Sequence, residues 1–214
     1  MDIRYFFKSK RLTTPSPHNN MDLFAPTVMN TAYEDFRKAK QKEMIRSMRI
    51  GCPELADFTD DKIVEVYELA VGSFQSKTGS FFERYVERAL ETLGIPFRAQ
   101  VHINAGGVIV SSGGTTIVDI VFGRPDIGTH ISECIVLSLK TTSRERAKQD
   151  GWTRTHPPKV FYYGTLESDY PQPDTFIENA SRKLVCVQAK RKDFRNFKFN
   201  FQDMVREVQS LLPA

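Results

Sequence analysis

Only three cysteines occur in the 214 residues, Cys52, Cys134 and Cys186, and no two of them form a CxxC pair. Odd in number and far apart, they argue against a disulfide framework, and the lack of any Cys/His cluster argues against structural zinc. Cys134 and Cys186 lie inside apolar runs and read as buried free thiols. No apolar run reaches the length needed to span a bilayer. The opening MDIRYFFKSKRLTTPSP lacks both the apolar core and the small-residue cleavage site of a secretory signal. A cytoplasmic, reduced protein without a membrane partner is expected. The glycine-rich stretches show neither GxxxxGK[ST] nor GxGxxG spacing, so they read as hairpin turns rather than phosphate cradles. There is no internal repeat and no low-complexity tract.

What is present is globular composition. Hydrophobic residues make up 40% and charged residues 26%, which suits a packed core. Sixteen Phe and seven Tyr supply bulk for that core, and the length fits one domain. A formal charge of +4 permits a polyanionic partner without specifying one.

Residues 1–29, rich in Pro, Asn and Thr, read as an irregular N-terminal arm, and 30–214 as a single domain. Helices are predicted over Thr31–Ile50, Asp60–Phe74 and Thr78–Leu93, the last stopped by Gly94 and Pro96. The period then changes to two. Strands are predicted at Phe97–Ile103, Val108–Ser111, Thr115–Phe122, Cys134–Lys140, Val160–Leu166 and Leu184–Gln188. Short helices are expected over Ser143–Asp150, Thr175–Ser181 and Phe201–Leu212. The fold class is α/β: a central mixed β-sheet flanked by helices, with an N-terminal helical region that could carry dimer contacts.

Two strands hold unusual charges. In TTIVDIVFG, strict alternation puts Ile117, Asp119 and Val121 on one face and Val118, Ile120 and Phe122 on the other. In CIVLSLK, Ile135, Leu137 and Leu139 share a face, and Val136, Ser138 and Lys140 share the opposite one. A carboxylate on one strand and an ammonium at the end of the next can meet across a sheet and address one phosphate. Phosphodiester hydrolysis needs those groups: a carboxylate to hold a metal, and a cation to steady developing charge. The plain alternative is a buried Asp–Lys pair, or strand-end charges reaching back to solvent. On the preceding helix, the apolar stripe Phe82, Val86, Ala89, Leu90, Leu93 carries Glu83 on its flank, with Glu87 further towards solvent.

After Lys140, Thr142 and Glu145 have capping-box spacing, which starts a helix at Ser143. Arg144 and Arg146 then sit in its first turn, where the helix dipole disfavours cations. They make physical sense if they face something rich in acceptors. Arginine pairs with guanine O6 and N7, and glutamate accepts from cytosine N4. A solvated turn with internal Arg–Glu pairing is the ordinary alternative.

Asp119, Ser138-Leu139-Lys140 and Arg144-Glu145-Arg146, with Glu83 upstream, together resemble the PD-(D/E)XK nuclease superfamily. Within it they resemble type II restriction endonucleases related to EcoRII and PspGI. The match covers roughly 79–150. The resemblance implies a restriction-endonuclease-like domain that cuts double-stranded DNA, with Mg²⁺, at a short site containing G·C pairs of the CC/GG type. It leaves a 5′-phosphate and a 3′-hydroxyl, usually as a homodimer. It makes Asp119 and Glu83 metal ligands, Lys140 the catalytic lysine, and Arg144, Glu145 and Arg146 the readers of bases. One departure stands out. The acidic residue usual two positions before the lysine is Ser138, and the glutamate that replaces it in this subgroup is missing from Gln149-Asp150-Gly151-Trp152-Thr153. Asp150 and Glu83 are the candidates for a second metal ligand. A structure-specific nuclease on the same core, or a DNA-binding module with a decayed centre, are the rival readings.

Other residues invite chemistry less strongly. His130 and His156 read as structural or surface histidines, with a phosphate contact open to His156. Trp152 can stack on a base or pack on the sheet. The run Lys190 to Lys198 interleaves cations with aromatics, as a DNA-backbone strip or a solvated surface would.

Overall fold

The computed structural model describes residues 21–71, 74–140, 152–165, 182–186 and 200–212. The chain enters through a 3-10 turn, Met21–Phe24, and then a long helix α1, Pro26–Gly51. Pro26 stands at the first helical position, where its fixed φ is an advantage and its missing N–H costs nothing. The predicted start at Thr31 is therefore too late. Leu23, Phe24, Met29 and Ala32 are buried in the main core. The described part of the expected irregular arm, 21–29, is thus regular and packed. A proline-led start and apolar residues this thinly spaced gave no period to read.

A second 3-10 turn, Pro53–Leu55, precedes α2, Asp60–Val71, and α3, Phe74–Thr92. The end of α3 is set by Gly94, whose φ of +68° lets its N–H bond Glu91 O while Ile95 N–H bonds Leu90 O. That is a Schellman closure, with Ile95 and Leu90 both buried as its apolar clasp.

Among the described residues six strands follow: β1 Phe97–Ile103, β2 Ile109–Val110, β3 Thr116–Phe122, β4 Ile135–Lys140, β5 Val160–Thr165 and β6 Arg182–Cys186. They form one sheet in the order β2-β1-β3-β4-β5-β6. Pairing is antiparallel from β2 to β4 and parallel from β4 to β6, so the expected central mixed sheet is present. The strand predicted at Val108–Ser111 shrinks to Ile109–Val110, because Val108 makes an isolated bridge to His130 instead. A short helix α4, Trp152–Thr155, and a final helix α5, Phe201–Leu211, complete the described elements. Asn200 and Asp203 cap α5 reciprocally. The helices expected over Ser143–Asp150 and Thr175–Ser181, and the basic run 190–198, lie outside the described residues.

Each face of the sheet carries its own core. One joins Ile120, Phe122, Ile135, Leu137, Leu139 and Tyr162 to the buried stripes of α3 and α5 and to Phe24 and Met29. The other gathers Val101, Ile103, Val118, Val121, Val136, Phe161 and Tyr163 around Ile131 and Cys134. Cys134 is buried and free, as its apolar run implied, and Cys52 is free and exposed. Phe201 joins the first core together. Its ring is stacked on Phe24 at 6.0 Å and edge-on to Phe82 at 5.9 Å, with no exposed surface. Phe201→Ala is expected to cost about 3–5 kcal/mol, the usual range for emptying a buried aromatic site. A urea unfolding midpoint unchanged by this substitution would show that the three elements are not held through this ring.

Candidate active site

Alternation in β4 is as the sequence reads: Ile135, Leu137 and Leu139 face one core and Val136 the other. In β3 it is not. Val118 packs with Val121, while Ile120 and Phe122 go to the opposite core. The expected grouping of Val118 with Ile120 and Phe122 is thus overturned, and Asp119 sits where the strand changes face. Its partner across β1 changes face at the same level. Phe97 packs on the first core, but Val101 and Ile103 belong to the second. The β1–β3 ladder pairs Ala99 with Ile120 and Val101 with Val118, and skips Gln100 and Asp119 between them.

On its other side β3 also parts from its neighbour. The β3–β4 ladder holds Val121 to Val136 and Ile120 to Leu137, and ends there. Where the next pair would form, the carboxylate of Asp119 takes the place of the main chain. Asp119 Oδ2 accepts the Leu139 N–H at 2.7 Å and the Ser138 hydroxyl at 3.3 Å. A hydrogen bond from a backbone amide to a charged carboxylate is of the strong kind. It fixes the Asp119 carboxylate beside the last residues of β4, whose backbone continues in register with β5 to Lys140 opposite Thr165. Ser138 is buried. Ser138 therefore serves as a neutral donor to Asp119. The Lys140 side chain, and Arg144, Glu145, Arg146 and Asp150, lie outside the described residues.

Helix α3 brings the other carboxylates. Its buried stripe comprises Phe81, Phe82, Tyr85, Val86, Ala89 and Leu90, and both Glu83 and Glu87 are half-buried on its flank. Burial pushes the Glu87 carboxyl above the usual carboxylate range; repulsion from Glu91 adds to this, Arg84 opposes it, and the charge of Asp119 adds again. Glu87 therefore shares an electrostatic neighbourhood with Asp119, which sequence reasoning missed. Its position one helical turn after Glu83 was the available signal. A raised carboxyl favours the fold in its protonated form. That contribution is complete at low pH and is lost as pH rises through the raised folded-state value. Glu87→Gln is expected to raise the melting temperature at neutral pH without divalent cation and to flatten the mildly acidic part of the stability profile. Melting curves of the two proteins across that range are the check, and an unchanged profile would show that Glu87 carries no such penalty.

Mg²⁺ takes oxygen ligands, commonly one or two carboxylates, with water and phosphate oxygens completing the shell. Among the described residues no group of three His, Cys, Asp or Glu side chains is arranged to cage a metal. Asp119 and Glu87, which feel each other's charge, offer carboxylate oxygens of the kind that Mg²⁺ takes.

The histidines serve the fold. His130 Nε2 donates to Gly106 O at 3.0 Å, and its Nδ1 accepts the Ser132 N–H. His156 Nε2 bonds Ala105 O at 2.9 Å, and the two rings meet edge-on at 5.7 Å. Between them passes Gly107 at φ +76°, where a β-carbon would fall 2.7 Å from the His156 ring. Trp152 packs edge-on against Phe161.

No family model and no curated protein matches the sequence. Solved structures do. Metal-depleted Ecl18kI in complex with uncleaved DNA aligns with a TM-score of 0.61 at 19% identity, over 96% of this chain and 75% of that one. Metal-depleted Ecl18kI with uncleaved, modified DNA gives 0.59 at 17% identity over the same shares. The complex of the restriction endonuclease PspGI with substrate DNA gives 0.59 at 14%, over 87% of this chain and 80% of that one. The fold is restriction-endonuclease-like and resembles that of the PspGI group. Among the described residues, no helix is long and apolar enough to cross a membrane.

Proposed function

We propose that this protein is a type II restriction endonuclease that makes Mg²⁺-dependent, sequence-specific double-strand cuts in DNA at a short G·C-containing site. The observation that carries this reading is the Asp119 carboxylate held at the notch between β3 and β4 by the Leu139 N–H, one residue before Lys140. The notch lies at the C-terminal ends of the parallel strands, where open α/β sheets place their ligands. The fold likeness to proteins solved on DNA supports it. So does the uncleaved state of DNA on metal-depleted Ecl18kI.

In this reading Asp119 and Glu83 hold the metal, with Glu87 beside them and Asp150 as a further candidate ligand. A bound Mg²⁺ supplies charge neutralisation at the scissile phosphate and acidifies a water. Lys140 orients the attacking water and steadies the charge that grows on the phosphoryl oxygens. Attack in line at phosphorus breaks the bond to the 3′-oxygen and leaves a 5′-phosphate and a 3′-hydroxyl. Arg144, Glu145 and Arg146 read G·C base edges in the major groove. A homodimer matches the two-fold symmetry of such a DNA site.

The test is plasmid digestion by the purified protein with Mg²⁺ and again with EDTA. Discrete fragments that vanish with chelator are expected, and their sequenced ends would give the recognition site and cut position. No cleavage with any divalent cation would sink the proposal. One observation favours a second reading, a DNA-binding module with a decayed centre: the buried neutral Ser138 where the acidic residue is usual. Calorimetric titration with Mg²⁺ in the presence of DNA separates the two, because a decayed centre binds no metal.

A further inference from the structure

Gln100 lies inside β1 with φ at +52°, in the left-handed region that residues bearing a β-carbon rarely adopt. The other non-glycine with positive φ among the described residues, Arg124, follows Gly123 in the loop after β3, where such a conformation is ordinary. Gln100 has no such excuse, and its side chain is exposed. We propose that Gln100 is a positioning residue, whose left-handed backbone turns β1 and β3 over at one level and thereby delivers the Asp119 carboxylate to the notch. The inference rests on the nuclease reading only for its effect on rate.

The register shows what the turn does. Ala99 to Ile120 and Val101 to Val118 keep the same offset, so no residue has been inserted and this is no ordinary bulge. A regular strand would put Phe97, Val101 and Ile103 on one face. Here Phe97 packs on one core, and Val101 and Ile103 on the other. β3 copies the inversion because it is hydrogen-bonded to β1 on both sides of the skipped pair. Asp119 is the residue across from Gln100. Had β3 run on flat, the offset that joins Ile120 to Leu137 would next have paired Asp119 with Ser138 through the main chain. The inversion ends that ladder and lets the carboxylate accept the Leu139 N–H in its stead. Strained backbone that persists beside a reactive group is a common way to hold one in place.

The prediction turns on backbone preference and not on the amide side chain. Gln100→Gly adopts positive φ freely, and Gln100→Asn does so better than most residues. Gln100→Val resists it, and Gln100→Ala lies between. Single-turnover cleavage at saturating Mg²⁺ is expected to hold within about threefold for Gly, Asn and Ala, and to fall about a hundredfold or more for Val, with DNA affinity unchanged. The Leu139 amide reports the same event without any activity. Its exchange protection should survive in the Gly, Asn and Ala variants and weaken in Val. If Val does not fold, Gln100→Thr, also β-branched, carries the comparison. A loss in Gly as large as in Val, or full activity with a protected Leu139 amide in Val, would overturn the proposal. If the parent protein cuts no DNA, the nuclease reading fails, and amide protection alone still decides the role of Gln100.

Discussion

Asp119→Asn is expected to lower single-turnover cleavage by about a thousandfold or more while leaving the fold intact. The substitution is nearly isosteric, and its amide oxygen can still accept the Leu139 N–H that now reaches Oδ2 at 2.7 Å. What it removes is the negative charge. A neutral amide is a poor ligand for Mg²⁺, and the metal's share of transition-state stabilisation in such hydrolysis is several kcal/mol. At about 1.4 kcal/mol per tenfold, losing it amounts to roughly three decades of rate. The same change withdraws one of the charges that raise the Glu87 carboxyl, so the acid-side stability profile should shift with it. Calorimetry should show weaker Mg²⁺ binding in parallel with the loss of rate. An Asn variant that cuts within tenfold of the parent would remove Asp119 from the centre of the site.

Lys140→Ala is expected to stop cleavage to a similar degree by a separable route. The backbone of Lys140 closes β4 opposite Thr165, and alanine preserves that pairing. Strand stability should therefore be little changed. In the proposed mechanism the lost ammonium steadies charge at the phosphate, and removal of a group of that kind typically costs about 10²–10³ in rate. Mg²⁺ affinity should survive, and so should specific DNA binding. Together the two variants form a diagnostic pair: Asp119→Asn loses metal and rate, and Lys140→Ala loses rate alone. Retained cutting by Lys140→Ala would take that lysine out of the chemistry. A parallel loss of Mg²⁺ affinity would show that its charge instead organises the carboxylates.

Much of the architecture was legible because it rests on local physics. The span Phe97–Ile103 was predicted residue for residue, since alternation and the Gly94/Pro96 stop both act within a few neighbours. The end of α3 and the cap of α5 follow from glycine at positive φ and from an Asn–Asp pair reading each other's amides. Patterns of this kind do not reach across strands. Nothing in the letter Gln at position 100 announces a left-handed residue. The face change of Asp119 was accordingly invisible, and strict alternation assigned Val118 to the wrong core. The tie between Glu87 and Asp119 was hidden for a related reason. A helical wheel measures distance from an apolar stripe, but not which neighbouring strand brings a second carboxylate towards it.

The sequence by itself determined which residues of this protein could do chemistry: an aspartate and a lysine on consecutive strands, glutamates on the preceding helix, and the run Arg144-Glu145-Arg146 beyond. Side-chain type and local periodicity are properties of the chain. The tertiary structure alone decided that the carboxylate of Asp119 would leave its own ladder and bond the amide of Leu139. That choice depends on how three strands diverge, and the divergence belongs to their packing between two cores rather than to any one segment.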